Sequence, residues 1–421
     1  TRWLIEVISM QFKHITCPQC GLLCDDLDVS VNDQDVTLDD NSHSVCKQFF
    51  VDAKLTDKSV LQPRINGKPC TLNEAVAHAA KLHTTAKQSI ISGLIADVQA
   101  CRSAFALAEK THSVIDHANG QSMRASTAIM QRYGEVRTTL AEARNRADCI
   151  VLFGAEILTK FPRLRERILQ PAETISGNTD RKIIIIDVVE NTDLAADEEI
   201  EFFHLPLPNL EAAIQQLQYL ASPRASAETE IEPAIRSIHQ QISESNYAVL
   251  TWTASLFAKN TAEQTLQNLT FFIKESMKTQ RCVGLPLSGS RGEITANQVS
   301  TWQTGFPLPV AFSSGAPEHN PVIYNAETML TNSEADLLTW ISTYSSDDTP
   351  KQYATANIVI GHPNMQCDQT VDVFIPVGIP GVDQRGLACR TDAVATLPLH
   401  SIRKNDLPSA DHVLNLIYQA L

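Results

Sequence analysis

The sequence predicts an α/β protein with parallel sheets, fronted by a small cysteine-bearing lobe. Two observations carry that prediction. From about residue 76 onward, short apolar runs alternate with amphipathic stretches of helical length, the pattern of βαβ units. Ahead of them, Cys17, Cys20, Cys24 and Cys46 follow the spacing C-x2-C-x3-C-x21-C in a region rich in Asp and Asn.

The elements follow in chain order. DDLDVSVNDQDVTLDD alternates Leu27, Val29 and Val31 and turns near Asn32-Asp33, which predicts a two-stranded hairpin. The apolar spacing of Leu72 to Lys81, with Thr71 before it, predicts a capped helix. SIISGL reads as a strand, DVQACRSAFALAEKT as the helix behind it, and SVID as the next strand. DCIVLFGA and KIIIIDVV are further strands, with PRLRERIL as a helix between them. A second set begins near residue 246: strand NYAVLTW, helix AEQTLQNLTFFIKESM, strand RCVGLPL, helix ADLLTWISTY, then strands NIVIGHP and DVFIPVG. ASPRASAETEIEP, at 221–233, is polar and separates the two sets as a surface connection. DHVLNLIYQAL, at 411–421, is an apolar-faced helix that docks on the core or on a partner. The expected segmentation is a cysteine lobe at 10–75, α/β domains at 76–220 and 234–390, and a C-terminal segment at 391–421 packing on the core.

The four cysteines carry the strongest chemical signal. Thiolates are soft ligands, and four of them can enclose one metal centre. Three within eight residues and a distant fourth suit one 4Fe–4S cluster. Zinc sites more often pair two short C-x2-C units, so zinc is the competing occupant, and four thiols without metal is the third reading. The other six, Cys70, Cys101, Cys149, Cys282, Cys367 and Cys389, are scattered singly, as reduced core thiols are. Ten cysteines in 421 residues is no disulfide scaffold, and the expected compartment is a reducing cytoplasm.

The charge balance excludes other classes. Lys and Arg number 34 against 48 Asp and Glu, a net of −14, which repels a phosphate backbone and argues against nucleic-acid binding. Runs such as IIII at 183–186 are too short to cross a bilayer, so no membrane role is expected. TRWLIEVIS lacks the order of a signal peptide, and Met10 opens a more natural beginning, so residues 1–9 read as a tag or an early start. There is no Walker A string, no G-x-G-x-x-G, no H-E-x-x-H and no G-x-S-x-G. Gly289-Ser290-Arg291-Gly292 reads as a turn before a helix near Glu293, and His112, His117 and His319 as single loop or core histidines.

One loop near the C-terminus has binding potential. PVGIPGVDQRGLACRTDAVATLPL, at 376–399, opens with four Gly or Pro in six residues. Gly378, Gly381 and Gly386 could bring backbone N–H groups close to an anion, and Arg385 and Arg390 add forked donors. The alternative is a crossover loop with turn glycines and solvated arginines.

CPQCGLLCDDL with its distant fourth Cys, the βαβ alternation and VFIPVGIPGVDQRG together resemble the B subunit of formylmethanofuran dehydrogenase, over about 14 to 420. The resemblance implies a molybdopterin-oxidoreductase-like, formate dehydrogenase-like fold with Rossmann-like α/β/α layers. In that family the four cysteines hold a 4Fe–4S cluster beside a tungsto- or molybdopterin, and a further loop Cys binds the metal. Aligned without gaps, that Cys falls on Ser122 in Val114-Ile115-Asp116-His117-Ala118-Asn119-Gly120-Gln121-Ser122. A hydroxyl is a hard, weakly acidic ligand and does not replace a thiolate on tungsten.

The chain is therefore most similar to the B (beta) subunit of the bacterial formyltransferase/hydrolase complex of methylotrophs. The resemblance implies one-carbon metabolism: a formyl group passes from formyl-tetrahydromethanopterin to a furan carrier and on to formate. Transfer belongs to a formyltransferase-like D subunit, hydrolysis to an amidohydrolase-like A subunit, and a C subunit is also implied. This chain would be a non-redox scaffold with no catalytic residue of its own and no pterin. A degenerate cofactor cleft would retain Ser122, Gly378, Gly381, Arg385 and Arg390. Two other readings stand beside it: a working tungsten or molybdenum oxidoreductase, and an iron–sulfur electron carrier.

Overall fold

The run Ser89–Ile95 is buried at every position, as a strand covered on both faces must be. It pairs in parallel with Val114–Ile115 on one side and Leu337–Ser342 on the other. In the computed structural model, which describes residues 10–32, 35–38, 44–55, 61–177, 179–226, 228–287, 291–367 and 371–421, these strands lie in the middle of an eight-stranded sheet. Of residues 44, 45, 121 and 122 only the backbone is described, and residues 1–9, which the sequence reads as a tag or early start, lie outside the described residues. The sheet runs Val310–Ala311, Val114–Ile115, Ser89–Ile95, Leu337–Ser342, Ala356–Gly361, Val373–Pro376, Arg64–Ile65, Lys68–Pro69. Its inner five strands are parallel, and antiparallel pairs finish both edges.

From Ser89–Ile95 the chain passes to one side of the sheet, and the later strands extend the other side. The junction of Ser89–Ile95 with Leu337–Ser342 is thus a topological switch point. In open parallel sheets ligands bind outside the carboxyl ends of the strands at such a point.

This sheet belongs to one of two compact units, which comprises the described residues of Thr1–Gly120 and Gly289–Leu421. The helices Leu72–Thr85, Val98–Lys110 and Ala410–Ala420 supply much of its core, with Ala79, Phe105, Leu107, Val413, Leu414 and Ile417 buried against Ile91, Ile341 and Ile360. Thr71 caps the first of these in a reciprocal capping box with Glu74, and the helix runs four residues past the predicted Lys81. The predicted hairpin is present as Leu27–Asn32 against Asp35–Leu38, with Met10–Ile15 added as a third antiparallel strand. The C-terminal helix packs on Val98–Lys110 and Leu72–Thr85, so its apolar face is covered by its own unit.

The second unit holds the described residues of Gln121–Ser288. Its five-stranded parallel sheet runs Glu201–His204, Lys182–Asp187, Cys149–Phe153, Tyr247–Trp252, Arg281–Pro286. Numbered within the unit, that order is 3-2-1-4-5, the Rossmann arrangement. Ile235, Ile238 and Ile242 recur at helical spacing on Pro233–Glu244 and are fully buried in its core.

Three expectations change. ADLLTWISTY, predicted as a helix, is the central strand Leu337–Ser342. Its apolar positions satisfy helical spacing, but a strand buried on both faces shows no alternation, so the pattern could not separate the two. PRLRERIL is a widened π-type turn at Arg165–Leu169, whose Arg165 guanidinium is held by Asp197 and Glu199. The segmentation at 76–220 and 234–390 cuts across both units, because the pairing of residues 89–95 with 337–342 inserts the whole second unit between adjacent strands. None of the described helices is long and apolar enough to cross a membrane.

Candidate functional site

Four strings that the sequence singled out meet in the first unit. The cysteine loop spans the gap between Met10–Ile15 and Leu27–Asn32 and is closed by the bond from Cys17 N to Cys24 O, 3.0 Å. Arg291 N donates to Gln19 O (3.3 Å) and Thr391 N to Gly21 O (2.8 Å), which joins the loop to the 291 turn and the C-terminal loop. His117 Nε2 lies 3.3 Å from Arg291 O, and Asn119 Nδ2 donates to Glu293 Oε2 over 3.3 Å.

The four cysteines are buried, each 3 % exposed or less. The Cys46 thiol is hydrogen-bonded with Cys17 and Cys24. The bond with Cys17 is the largest cause that pushes its pKa far up, with burial and the nearby Cys17 and Cys20 adding to it. As a donor set this fits a soft metal: four thiols, no carboxylate, no water access. Among the described residues no three or more His, Cys, Asp or Glu are arranged to hold a metal ion. A metal or cluster would be held by Cys17, Cys20, Cys24 and Cys46, and its charge would deprotonate them.

The 116–119 turn is positioned by the end of Val114–Ile115. Asp116 and His117 are buried there. Asp116 accepts from His117 N (2.8 Å) and from Ala326 N (3.1 Å). His117 Nδ1 accepts from Asn119 N (2.9 Å), so the proton sits on Nε2 and points at Arg291 O. Burial pushes the His117 pKa down to about 4, which keeps the ring neutral. Burial pushes Glu293 up to about 7, against the hydrogen bond from Asn119. Ser122 falls in the first turn of Gly120–Tyr133, and its side chain lies outside the described set.

The C-terminal loop is tied to itself. Gly378 N donates to Pro408 O (3.0 Å), Ile379 N to Asp383 Oδ2 (2.9 Å), and Gly381 N to Gln384 O (3.0 Å). Val382, Asp383 and Gln384 all donate to Ile379 O. A Cβ on Gly378 would stand 2.5 Å from Gln384 Nε2, so this glycine serves side-chain packing. The Gly378 and Gly381 N–H groups expected to cradle an anion are therefore bonded within the chain. Arg390 folds onto Asp392 at 2.7 and 2.9 Å, while Arg385 faces solvent. Beneath the loop, Arg403 and Asp383 form a buried ion pair at 2.8 Å, and Arg403 Nη1 donates to Ala53 O (2.6 Å). That pair fastens the loop to the N-terminal region.

Sequence reasoning missed the residues at the switch point. Tyr344, at the carboxyl end of Leu337–Ser342, is 1 % exposed, and its hydroxyl has no hydrogen-bond partner among the described residues. The charges of Asp97, Cys101 and Cys389 lie close enough to add to the burial that raises its pKa. Asp97 caps Val98–Lys110 through Gln99 N and Ala100 N, and burial pushes it up to about 6. His362, at the end of Ala356–Gly361, is pushed down to about 3 by burial and by Arg403. Asp348 is paired by Arg291 at 2.7 Å. Strand ends would have marked these positions, but Tyr344 was hidden inside the stretch read as a helix.

No protein-family model matches the chain. It is similar to the B subunit of the tungsten-containing formylmethanofuran dehydrogenase 2 of Methanococcus maripaludis, 25% identical over 406 residues, covering 91% of this chain and 92% of the relative. The corresponding subunit of Methanocaldococcus jannaschii is 25% identical over 402 residues, with the same coverage of 91% and 92%. The B subunit of the formyltransferase/hydrolase complex Fhc of Methylorubrum extorquens is 23% identical over 344 residues, covering 78% of this chain and 90% of the relative. A chain of the crystal structure of the formyltransferase/hydrolase complex (FhcABCD) from Methylorubrum extorquens with methylofuran shares the fold. The TM-score is 0.71 at 21% identity, covering 85% of this chain and 98% of that one. The chain is a homologue of the B subunits of formylmethanofuran dehydrogenase and of the formyltransferase/hydrolase complex.

Proposed function

We propose that this chain is the B-type subunit of a formyltransferase/hydrolase complex and performs no redox step itself. It keeps the fold of a molybdopterin-type dehydrogenase and serves as scaffold for a transferase-like subunit, an amidohydrolase-like subunit, and a further C subunit. The complex moves a formyl group from a pterin carrier to a furan carrier and releases formate. The observation that carries this reading is the C-terminal loop, whose N–H groups donate within the chain rather than toward a phosphate-bearing cofactor. The string 114–122 adds to it, since it contains no cysteine to bind a redox metal. The test is dye reduction: the purified complex should transfer and hydrolyse formyl groups yet leave viologen oxidised with a formyl-furan donor. Viologen reduction by that donor would overturn the reading.

The cysteine tetrad on this reading is a structural staple, holding a 4Fe–4S cluster, a zinc ion or a thiol network. Cys46→Ser should then raise amide exchange over residues 10–55 at least about tenfold, as loss of a structural site does. Exchange equal to wild type there would remove the staple role. Iron or zinc analysis of the same sample identifies the occupant.

A further inference from the structure

The cysteine tetrad is split along the chain. Cys17, Cys20 and Cys24 lie on one loop, while Cys46 arrives on the helix Ser44–Asp52, beyond the hairpin of Leu27–Asn32 and Asp35–Leu38. Cys46, Phe49, Phe50 and Ala53 recur at helical spacing and are each 1 % exposed or less, so one buried stripe runs from the fourth cysteine to the end of the helix. Ala53 stands about 10 Å of helix beyond Cys46. The carbonyls at that end are taken by side chains from far along the chain. Arg403 Nη1 donates to Ala53 O (2.6 Å), and Asn364 Nδ2 donates to Asp52 O (3.0 Å) and to Lys54 O (2.5 Å). Helix-end carbonyls lack partners within the helix, and a cation there meets the negative end of the helix dipole. Arg403 is itself fixed: its Nε donates to Asp383 Oδ1 (2.8 Å) and its backbone N to Val382 O (2.9 Å). Asn364 Oδ1 has no hydrogen-bond partner among the described residues, so what this amide side chain bonds is the helix end. The other half of the tetrad is held from the same C-terminal segment, since Thr391 N donates to Gly21 O (2.8 Å), between Cys20 and Cys24.

The segment 379–403 thus grips both cysteine-bearing pieces of the chain. We propose that this segment is a clamp that sets Cys46 against Cys17, Cys20 and Cys24, with Arg403 and Asn364 as the positioning residues. Arginine suits position 403 because its fork bonds Asp383 and Ala53 at once, whereas a lysine ammonium is a point charge without that planar reach. The proposal rests on the reading of the tetrad as a structural staple and deepens it: the fourth cysteine is delivered by a helix whose position is set from the C-terminal loop. By linkage the coupling is reciprocal, so whatever closes the tetrad also steadies 379–403.

The test is thiol labelling of the full chain in its native, co-expressed complex, with N-ethylmaleimide as the reagent and peptide mass spectrometry to read each cysteine. Asn364→Ala removes two bonds at the helix end and leaves no buried charge unpaired. It should raise the labelling rate of Cys46 at least about tenfold, because removing hydrogen bonds that hold a segment raises its local opening. Arg403→Lys, which keeps the charge and loses the fork, should act in the same direction. Cys101, buried in the same unit on Val98–Lys110, is the reference and should keep its wild-type rate in both variants. A general loosening of the fold would instead raise Cys101 together with Cys46. Wild-type labelling of Cys46 in both variants, or an equal rise at Cys101, overturns the clamp alone. Wild-type amide exchange over residues 10–55 in Cys46→Ser overturns the staple reading and the clamp together, which distinguishes the two failures.

Discussion

Tyr344 places a buried side chain at the carboxyl end of a central strand, at the switch point of the sheet. A parallel sheet offers its switch point to a ligand, yet here the ring of a tyrosine lies fully buried beside Gly292 and the cap of Val98–Lys110, with Ser342 Oγ also lacking a partner among the described residues. An unpaired buried hydroxyl costs about 1–3 kcal/mol, and deleting it recovers part of that cost. Tyr344→Phe should therefore raise the melting temperature by a few degrees, or leave it unchanged, with the activity of the complex intact. A fall in stability of more than about 1 kcal/mol would show that the hydroxyl has a partner that holds it. This residue could not be read from the chain. The cysteines could, because soft ligands at short spacing are rare by chance and their loop is set by local bonds such as that from Cys17 N to Cys24 O. Tyr344 matters only through its place at a strand end, and placing it needed the strand order.

Among the elements, Ser89–Ile95 and Leu337–Ser342 define the site. The bulge between them at Trp340/Ser342 follows from Gly93, whose φ of +82° favours glycine and whose missing Cβ would stand 2.5 Å from Ile341 O. Gly93→Ala combines a backbone clash with a left-handed φ at the centre of a sheet. It should destabilise the chain by at least about 2–3 kcal/mol in urea unfolding. A loss below about 1 kcal/mol would mean that the strands can separate at this point without cost. Strands of the first βαβ units were legible because each apolar run is bounded by turns and followed by an amphipathic helix. Leu337–Ser342 was not, since a strand buried on both faces presents no period. The helices Leu210–Ala221 and Pro233–Glu244 flank the stretch read only as a polar connection, and burial of Ile235, Ile238 and Ile242 fixes the second of them.

At the scale of the whole molecule, buried titratable groups set the acid response. Burial depresses His83 to about 4, His117 to about 4 and His362 to about 3, below their ordinary 6.5, and lowers His239 as well. A depressed histidine stabilises the fold above pH 6.5, and that stability is lost as pH falls through the folded value. Asp97 and Glu293, raised to about 6 and about 7, act in the opposite sense and lose stability as pH rises through those values. Between about pH 4.5 and 6 each depressed histidine makes stability rise with pH, and Asp97 and Glu293 each make it fall, every such group contributing at most about 1.4 kcal/mol per pH unit. Relative to wild type, His83→Gln should make the slope of stability against pH less positive by up to one proton and Glu293→Gln more positive by up to one proton, read from urea midpoints against pH. A slope unchanged from wild type in both variants would contradict the account. The linear segmentation failed at this scale for a physical reason: the parallel pairing of residues 89–95 with 337–342 is non-local, and no composition shift marks it.

The central claim is that the fold has outlived its redox metal, and metal analysis of the anaerobically purified complex tests it most directly. Tungsten and molybdenum should both fall far below one atom per chain while formyl transfer and hydrolysis proceed. A stoichiometric tungsten or molybdenum content that tracks this chain through purification would contradict the account and make it a working dehydrogenase.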